Sequence, residues 1–284
     1  MTQIDQYERL CKRILNEGVM VENKRTGSKC LTVINANLTY DVGSGLIPAV
    51  TTRRAAWKMA IAELLGYLRK YTDAQQFADL GAGTWFANAN ENAAWLANPY
   101  RKGENDMGKV YGANIVRTAP DGVQVDQLAD IVSNLQARND NRALCLTYWD
   151  PAVFHMGCLK PCLHSFQFSL LGDELYLDAQ QRSCDVPLGG VANQIQVFVL
   201  LAIMARITGL KPALAQHRIV NAHIYQGQIE LMREQVKRTP FAPPSFSMNP
   251  EIKTLDDVLT WVTPKDFALH GYEHHEDIKY PFSV

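Results

Sequence analysis

Apolar residues recur at helical spacing in some stretches of the chain and alternate in others, and this divides it into predicted elements. Residues 5–17 carry an amphipathic helical pattern. From Arg54 to Lys70, Trp57, Ala60, Ile61, Leu64, Leu65 and Leu68 fall on one face of a second, core-facing helix. Residues 29–40 (KCLTVINANLTY) alternate as a strand does, interrupted by Asn35 and Asn37. The stretch 81–118 is rich in Gly and Asn, holds two tryptophans and shows little period. It reads as ordered loops carrying short helices, because aromatic content argues against disorder.

Further along, Leu128, Ile131, Val132 and Leu135 predict a short helix over 126–136, and 143–149, 164–171 and 174–183 read as strands. The last two meet across Gly172-Asp173, a two-residue hairpin signal. A long apolar helix is predicted from Gln194 to Thr208, a strand at 213–222, and helices at 225–236 and 254–261 before the tail GYEHHEDIKYPFSV. Strands mixed with helices, without strict alternation, imply an α+β fold with a mixed β-sheet packed with helices. Nothing marks a linker or a repeat, so a single domain over residues 1–284 is expected.

Charge narrows the function. Lys+Arg 28 against Asp+Glu 29 leaves a formal charge of −1, which removes the general attraction to polyphosphate that nucleic-acid binders use. Neither general nucleic-acid binding nor an anionic membrane surface is expected. No uninterrupted run of apolar residues approaches the length that spans a bilayer, and the amino end lacks a signal-peptide core, so a cytoplasmic location is expected. The six cysteines are too sparse for a disulfide framework and read mostly as reduced core thiols. Cys158 and Cys162 have no matching second pair and the histidines lack ligand spacing apart from His274-His275, so no metal site is expected.

Two segments hold candidate chemistry. Cys162 follows Pro161 at the mouth of a predicted strand, where nearby arginines would favour a thiolate; a buried packing thiol is the plainer alternative. In QQRSCDVPLGGVAN, Arg182 and Ser183 could hold a phosphate, Asp185 could accept from N–H donors of a heterocycle, and Asn193 could read an amide-like base edge. A surface ion pair, a turn and a helix N-cap would explain the same residues one at a time. Glu63 sits on the apolar face of the second predicted helix, an unusual place for a charge, although a boundary residue is its ordinary explanation.

Taken together, the ordered set Arg25-Thr26-Gly27, Glu63-Leu64-Leu65, Val110-Tyr111-Gly112, Pro161-Cys162, QRSCDV, Asn193, His223-Ile224-Tyr225 and the closing IKYPFSV resembles the folate-dependent thymidylate synthase family, from about residue 7 to the end. The resemblance implies a homodimer formed through the sheet. It also implies reductive methylation of deoxyuridylate (dUMP) to thymidylate (dTMP), with 5,10-methylenetetrahydrofolate as carbon and hydride donor and dihydrofolate as its product. By the same resemblance, Cys162 is the nucleophile, Glu63 the proton-handling carboxyl, Tyr111 an aid to removal of the C5 proton, and Asp185 the carboxylate that pairs with pterin N–H groups. Arg25, Gln181, Arg182 and Ser183 would bind the nucleotide, Arg142 would reach across the dimer interface, Asn193 would read uracil, and His223 and Tyr225 would grip the sugar. Trp85, Leu159, Gly189 and Val284 would complete the folate side, with the tail as a lid.

Several positions depart from the commonest family pattern. Leu163 stands where His is usual, Ala143 where a second Arg is usual, Asn88 where a second Trp often lies, and Asn221-Ala222 for an Asp-Thr pair. Gly190-Val191-Ala192 replaces a bulkier run beside the pterin, and water admitted there would make the chain a dUMP hydroxymethylase instead. A non-catalytic nucleotide- or RNA-binding family member is the remaining alternative; the joint presence of Cys162, Glu63, Tyr111, Asp185 and Asn193 argues against it.

Overall fold

The computed structural model describes residues 5–23 and 27–282. It opens with α1 (Gln6–Glu17), whose buried face carries Tyr7, Leu10, Cys11 and Ile14. The antiparallel pair β1 (Val19–Asn23) and β2 (Ser28–Asp41) follows, then α2 (Trp57–Leu68). Helix α3 (Ala74–Leu80) precedes the loop-like region, which contains α4 (Phe86–Asn90) and α5 (Ala93–Leu96), and at its end β3 (Val116–Thr118) pairs with β4 (Gln124–Asp126) in a small hairpin. Helix α6 (Gln127–Gln136) starts where the Asp126 carboxylate accepts from the free N–H groups of Leu128 and Ala129.

The remaining strands build the main sheet. They are β5 (Cys145–Thr147), β6 (Leu163–Leu171) and β7 (Glu174–Asp185), then helix α7 (Val191–Thr208) and the long β8 (Lys211–Tyr225). The chain closes through α8 (Ile229–Gln235), β9 (Ser245–Met248), α9 (Leu255–Thr260) and β10 (Phe267–His270), with β9 and β10 paired in a separate ribbon. The six-stranded sheet has the order β1-β2-β8-β7-β6-β5, antiparallel throughout except for the parallel pair β7 and β8. This is the α+β arrangement expected, a mixed sheet packed with helices.

Helix α7 connects the parallel pair and is buried on nearly every side, which explains why its sequence is apolar without a polar face. Together with the turn before it, it is the one helix among the described residues long and apolar enough to cross a membrane, and most of that span is enclosed by the protein core. Helix α2 packs beside it and places Ile61, Leu64 and Leu65 in the same core. At the predicted turn, Leu171 pairs with Glu174 and Gly172 takes φ 62°, so Gly172-Asp173 closes β6 onto β7 as expected.

Some boundaries differ from expectation. The helix predicted over 225–236 begins only at Ile229, because Tyr225 stays in the sheet opposite Cys30 and a single tight turn follows it. The strand predicted over 143–149 is reduced to Cys145–Thr147. Asn193 lies inside the first turn of α7 and does not cap it. The segment Val186–Gly190 forms a wide helical turn ahead of α7, capped by the Asp185 side chain. Of the six cysteines, Cys145 is exposed, which corrects its assignment as a packing thiol; Cys11, Cys30, Cys158 and Cys184 are buried.

Candidate active site

Strand direction explains why residues far apart in sequence meet. Because β7 and β8 are parallel, their carboxyl ends lie side by side, with Ser183 opposite Asn221 and Asp185 opposite His223. Because β6 runs the other way, its first residue, Leu163, sits beside Gln181. Cys162, Arg182, Ser183, Asp185, His223 and Tyr225 are thus brought to one end of the sheet, a position where α/β sheets commonly bind ligands.

Cys162 is partly exposed there, unlike four of the other five thiols. The Arg182 guanidinium donates to its sulfur at 3.5 Å and to the carbonyls of Pro161 and Lys160 at 2.8 and 2.9 Å. Positive charge is thereby fixed against the thiol. The Cys162 backbone N–H donates to the Tyr111 hydroxyl at 3.0 Å. Tyr111 is a non-glycine residue at φ 40°, a strained conformation that persists only where its surroundings enforce it. Its ring stacks on Tyr67 at 4.5 Å, and Gly112 makes that approach possible, since a Cβ there would stand 1.8 Å from the Tyr67 carbonyl oxygen. Burial raises the phenol of Tyr111 well above its ordinary range, so the hydroxyl keeps its proton.

Glu63 faces the same region from α2. Gln196 donates to one carboxyl oxygen at 2.7 Å and Thr84 to the other at 3.4 Å. Burial raises the proton affinity of Glu63, and these donors oppose that effect without cancelling it. A carboxyl so placed keeps its proton at higher pH than an exposed glutamate and can act as an acid. The buried Trp85 indole N–H turns toward Glu63 without completing a hydrogen bond.

Asn193 is held from both ends. Its Oδ1 accepts from Gln181 at 2.9 Å and its Nδ2 donates to Gln196 at 3.0 Å. Gln181 in turn contacts His217 Nε2 at 2.7 Å, and His217 Nδ1 meets the Tyr40 hydroxyl at 3.0 Å. Desolvation lowers the His217 pKa to about 3, so the ring is neutral.

Asp185 accepts from Gln228 Nε2 at 3.1 Å and from the Leu188 N–H at 3.4 Å. Burial lifts its carboxyl to about 6. Gln228 also donates to the Pro281 carbonyl at 3.1 Å, which ties the tail to the Asp185 carboxylate through one side chain. Tyr280 is anchored beside it by donating to Gln235 at 2.7 Å, under the Arg53 guanidinium. His223 and Tyr225 touch edge to face, and burial lowers the His223 imidazole to about 4.

The family model for thymidylate synthase matches residues 5–284. The chain belongs to the thymidylate synthase family. A thymidylate synthase of Shewanella sediminis is 59% identical over 281 residues, covering 98% of this chain and 99% of the relative. One of Vibrio cholerae is 60% identical over the same span and coverage.

Within this thymidylate synthase family member, Cys162, Tyr111, Arg182, Asn193, Gln181 and Glu63 form hydrogen-bonded groups, and Ser183, Asp185, His223 and Tyr225 adjoin them along the strand ends. Leu159 and Gly189 are half-buried. Gly189 lies close to Asn193, where an added Cβ would be 3.5 Å from its Oδ1. Arg142 stands apart: it is exposed near the β5 end of the sheet, where its carbonyl accepts from Gln167. Arg25 and Val284 lie outside the described residues. The large groove of about 820 Å³ between α1 and β2 contains none of the expected site residues.

Sequence reasoning missed Gln196, Gln228, His217 and Arg53. Arg53 is buried and donates to the Pro187 carbonyl beneath the turn that follows Asp185. Buried glutamines carry no periodic signal distinct from surface ones; only Gln194 and Gln196 inside an otherwise apolar helix stand out.

Proposed function

We propose that the chain is a cytoplasmic, homodimeric thymidylate synthase that methylates dUMP to dTMP, with 5,10-methylenetetrahydrofolate as co-substrate and Cys162 as nucleophile. The observation that carries the residue assignment is the contact of Cys162 with both Arg182 at its sulfur and Tyr111 at its backbone N–H.

Carbon 5 of uracil is a poor nucleophile. Addition of the Cys162 sulfur to C6 makes C5 enolate-like and pushes negative charge toward O4. Asn193 Nδ2 has a second hydrogen for O4, and Oδ1 a second lone pair for the N3–H, so the anchored amide matches uracil. Glu63, protonated more readily than an exposed glutamate, supplies and takes protons at O4. The Tyr111 hydroxyl relays the C5 proton as a neutral phenol. Once C5 carries the new carbon, expulsion of the Cys162 sulfur as thiolate restores the C5–C6 double bond. Arg182, released from the carbonyls that it caps, and Ser183 receive the phosphate, joined by Arg25; His223 and Tyr225 hold the sugar hydroxyl.

The folate fits the other side of this cluster: the Trp85 ring, the partly exposed Leu159 and the Asp185 carboxyl together offer an apolar wall with a hydrogen-bonding end. When bound, methylenetetrahydrofolate supplies the one-carbon unit and the hydride, and leaves as dihydrofolate. Gly189 leaves space beside Asn193, and the tail, tied at Pro281 and continuing to Val284, acts as the lid that excludes water.

The outer face of the sheet supports a dimer, since Leu214 and Val220 on β8 are exposed beside Arg218. Arg142, exposed and without a contact to Cys162, suits a role in the partner's site. The test is product analysis by mass after incubation with dUMP and methylenetetrahydrofolate. Equal amounts of dTMP and dihydrofolate are expected; hydroxymethyl-deoxyuridylate without dihydrofolate would replace methylation by hydroxymethylation.

A further inference from the structure

Gln196 occupies a place that no role above requires. It lies one helical step of three residues after Asn193 on α7 and is 2% exposed. Its Nε2 donates to the Ala60 carbonyl at 3.3 Å and to Glu63 Oε2 at 2.7 Å, while its Oε1 accepts from Asn193 Nδ2 at 3.0 Å. A main-chain carbonyl can only accept, so the end of the side chain that meets Ala60 is the NH₂ group and the amide has one orientation. Its oxygen then faces Asn193 and demands the Asn193 NH₂ group in return. A second main-chain carbonyl sets the same direction from the far side: Gln181 Nε2 donates to Ser183 O at 3.0 Å and also to Asn193 Oδ1. The row ends on His217 and Tyr40, where the Gln181 oxygen requires a protonated Nε2 and leaves Nδ1 to accept from the hydroxyl.

We infer that Gln196 is a positioning residue that joins proton handling to base reading, holding Glu63 by donation and fixing the direction of the Asn193 amide by acceptance. The inference deepens the proposed reaction and rests on it. A reversed Asn193 amide would present donor and acceptor in the order that suits cytosine, and with Gln196 in place that reversal sets oxygen against oxygen. The groups facing Glu63 are Tyr67 from its own helix, Thr84 and Trp85 from the turn before α4, Tyr111, and Gln196 from α7; Tyr67 and Tyr111 are the titratable ones. Among these, the Gln196 bond is the largest influence lowering the proton affinity of the carboxyl.

Two substitutions separate the two contacts. Gln196→Met conserves volume and removes both. Gln196→Glu keeps an oxygen for Asn193 Nδ2 and replaces the NH₂ donor to Glu63 by a carboxyl that must share a proton with it. Affinities for dUMP and dCMP are measured by calorimetry on the full-length protein, and the Glu63 carboxyl is titrated by ¹³C NMR, assigned with Glu63→Gln; neither readout needs turnover. Gln196→Met should narrow the preference for dUMP over dCMP by about tenfold, the worth of one hydrogen bond, and shift the Glu63 titration to higher pH. Gln196→Glu should shift the titration upward while keeping the preference. A Gln196→Met protein that loses thermal stability but keeps both the preference and the titration overturns the inference. So does a Gln196→Glu protein whose preference falls as far as that of the Met variant. A wild type that binds dUMP but produces no dTMP would instead count against the proposed reaction, leaving these two readouts to decide the role of Gln196.

Discussion

Asp185 shows how burial and a single donor set the chemistry of one side chain. Its carboxyl is lifted from the ordinary 3.8 to about 6 by desolvation, against the opposing bond from Gln228. Only the ionised form accepts two N–H donors, so the KM for methylenetetrahydrofolate should rise as pH falls through about 6. Asp185→Asn should abolish that rise; the comparison of KM against pH checks it. Stability has the opposite sign. A carboxyl whose pKa is raised on folding contributes stability below its unfolded value, and that contribution is lost as pH rises through the folded value. Between pH 3.8 and about 6 the wild type should therefore lose stability relative to Asp185→Asn, which urea unfolding at several pH values would register. Asn193→Asp should move base preference toward dCMP, since the carboxylate accepts where the amide donated, and dUMP:dCMP ratios of kcat/KM provide the measurement. Of these residues, Cys162, Glu63, Asp185 and Asn193 were legible because unusual residue types stood in a recognisable order. Gln196 and His217 were not, because their meaning lies in partners 133 and 36 residues away, Glu63 and Gln181.

At the scale of elements, the parallel pairing of β7 with β8 gathers the site, and α2 and α7 deliver Glu63 and Asn193 to it. Periodicity found α2, α6 and the apolar α7, and the Gly172-Asp173 signal found the β6–β7 turn. It did not find β1, β9 or β10, since strands of four or five residues hold too few alternations to distinguish them from loop. Nor did it delay the start of α8 to Ile229, because HIY is compatible with either state until β2 is available to pair with it. The backbone approach between α2 and the turn carrying Tyr111 makes a further prediction. Gly112→Ala must displace the Tyr67 carbonyl or the Tyr111 turn. It should lower unfolding free energy by about 2 kcal/mol, in the range found for overpacked cores. Activity should fall more than stability, because the displaced turn carries the hydroxyl that meets Cys162. Urea unfolding and steady-state kinetics on the same preparation would show whether the two effects separate.

For the whole molecule, near-neutral charge is an average that conceals local arrangement. Arg182 is set against Cys162 and Arg53 beneath the Asp185 turn, while Arg142 is exposed near β5. The proposed dimer gives Arg142 a phosphate to bind, and a mixture of two defective proteins tests it. Arg142→Ala and Cys162→Ala should each be impaired, but subunits exchanged between them should regain activity, since one of the two hybrid sites then combines an intact Cys162 with an intact Arg142. No recovery from a verified hybrid would place Arg142 outside the site. The central claim, that Cys162 attacks C6 and thereby activates C5, is tested most directly by tritium release from [5-³H]dUMP in the presence of methylenetetrahydrofolate. The wild type should release tritium in step with dTMP formation and Cys162→Ala should release none; equal release from both proteins would contradict the account.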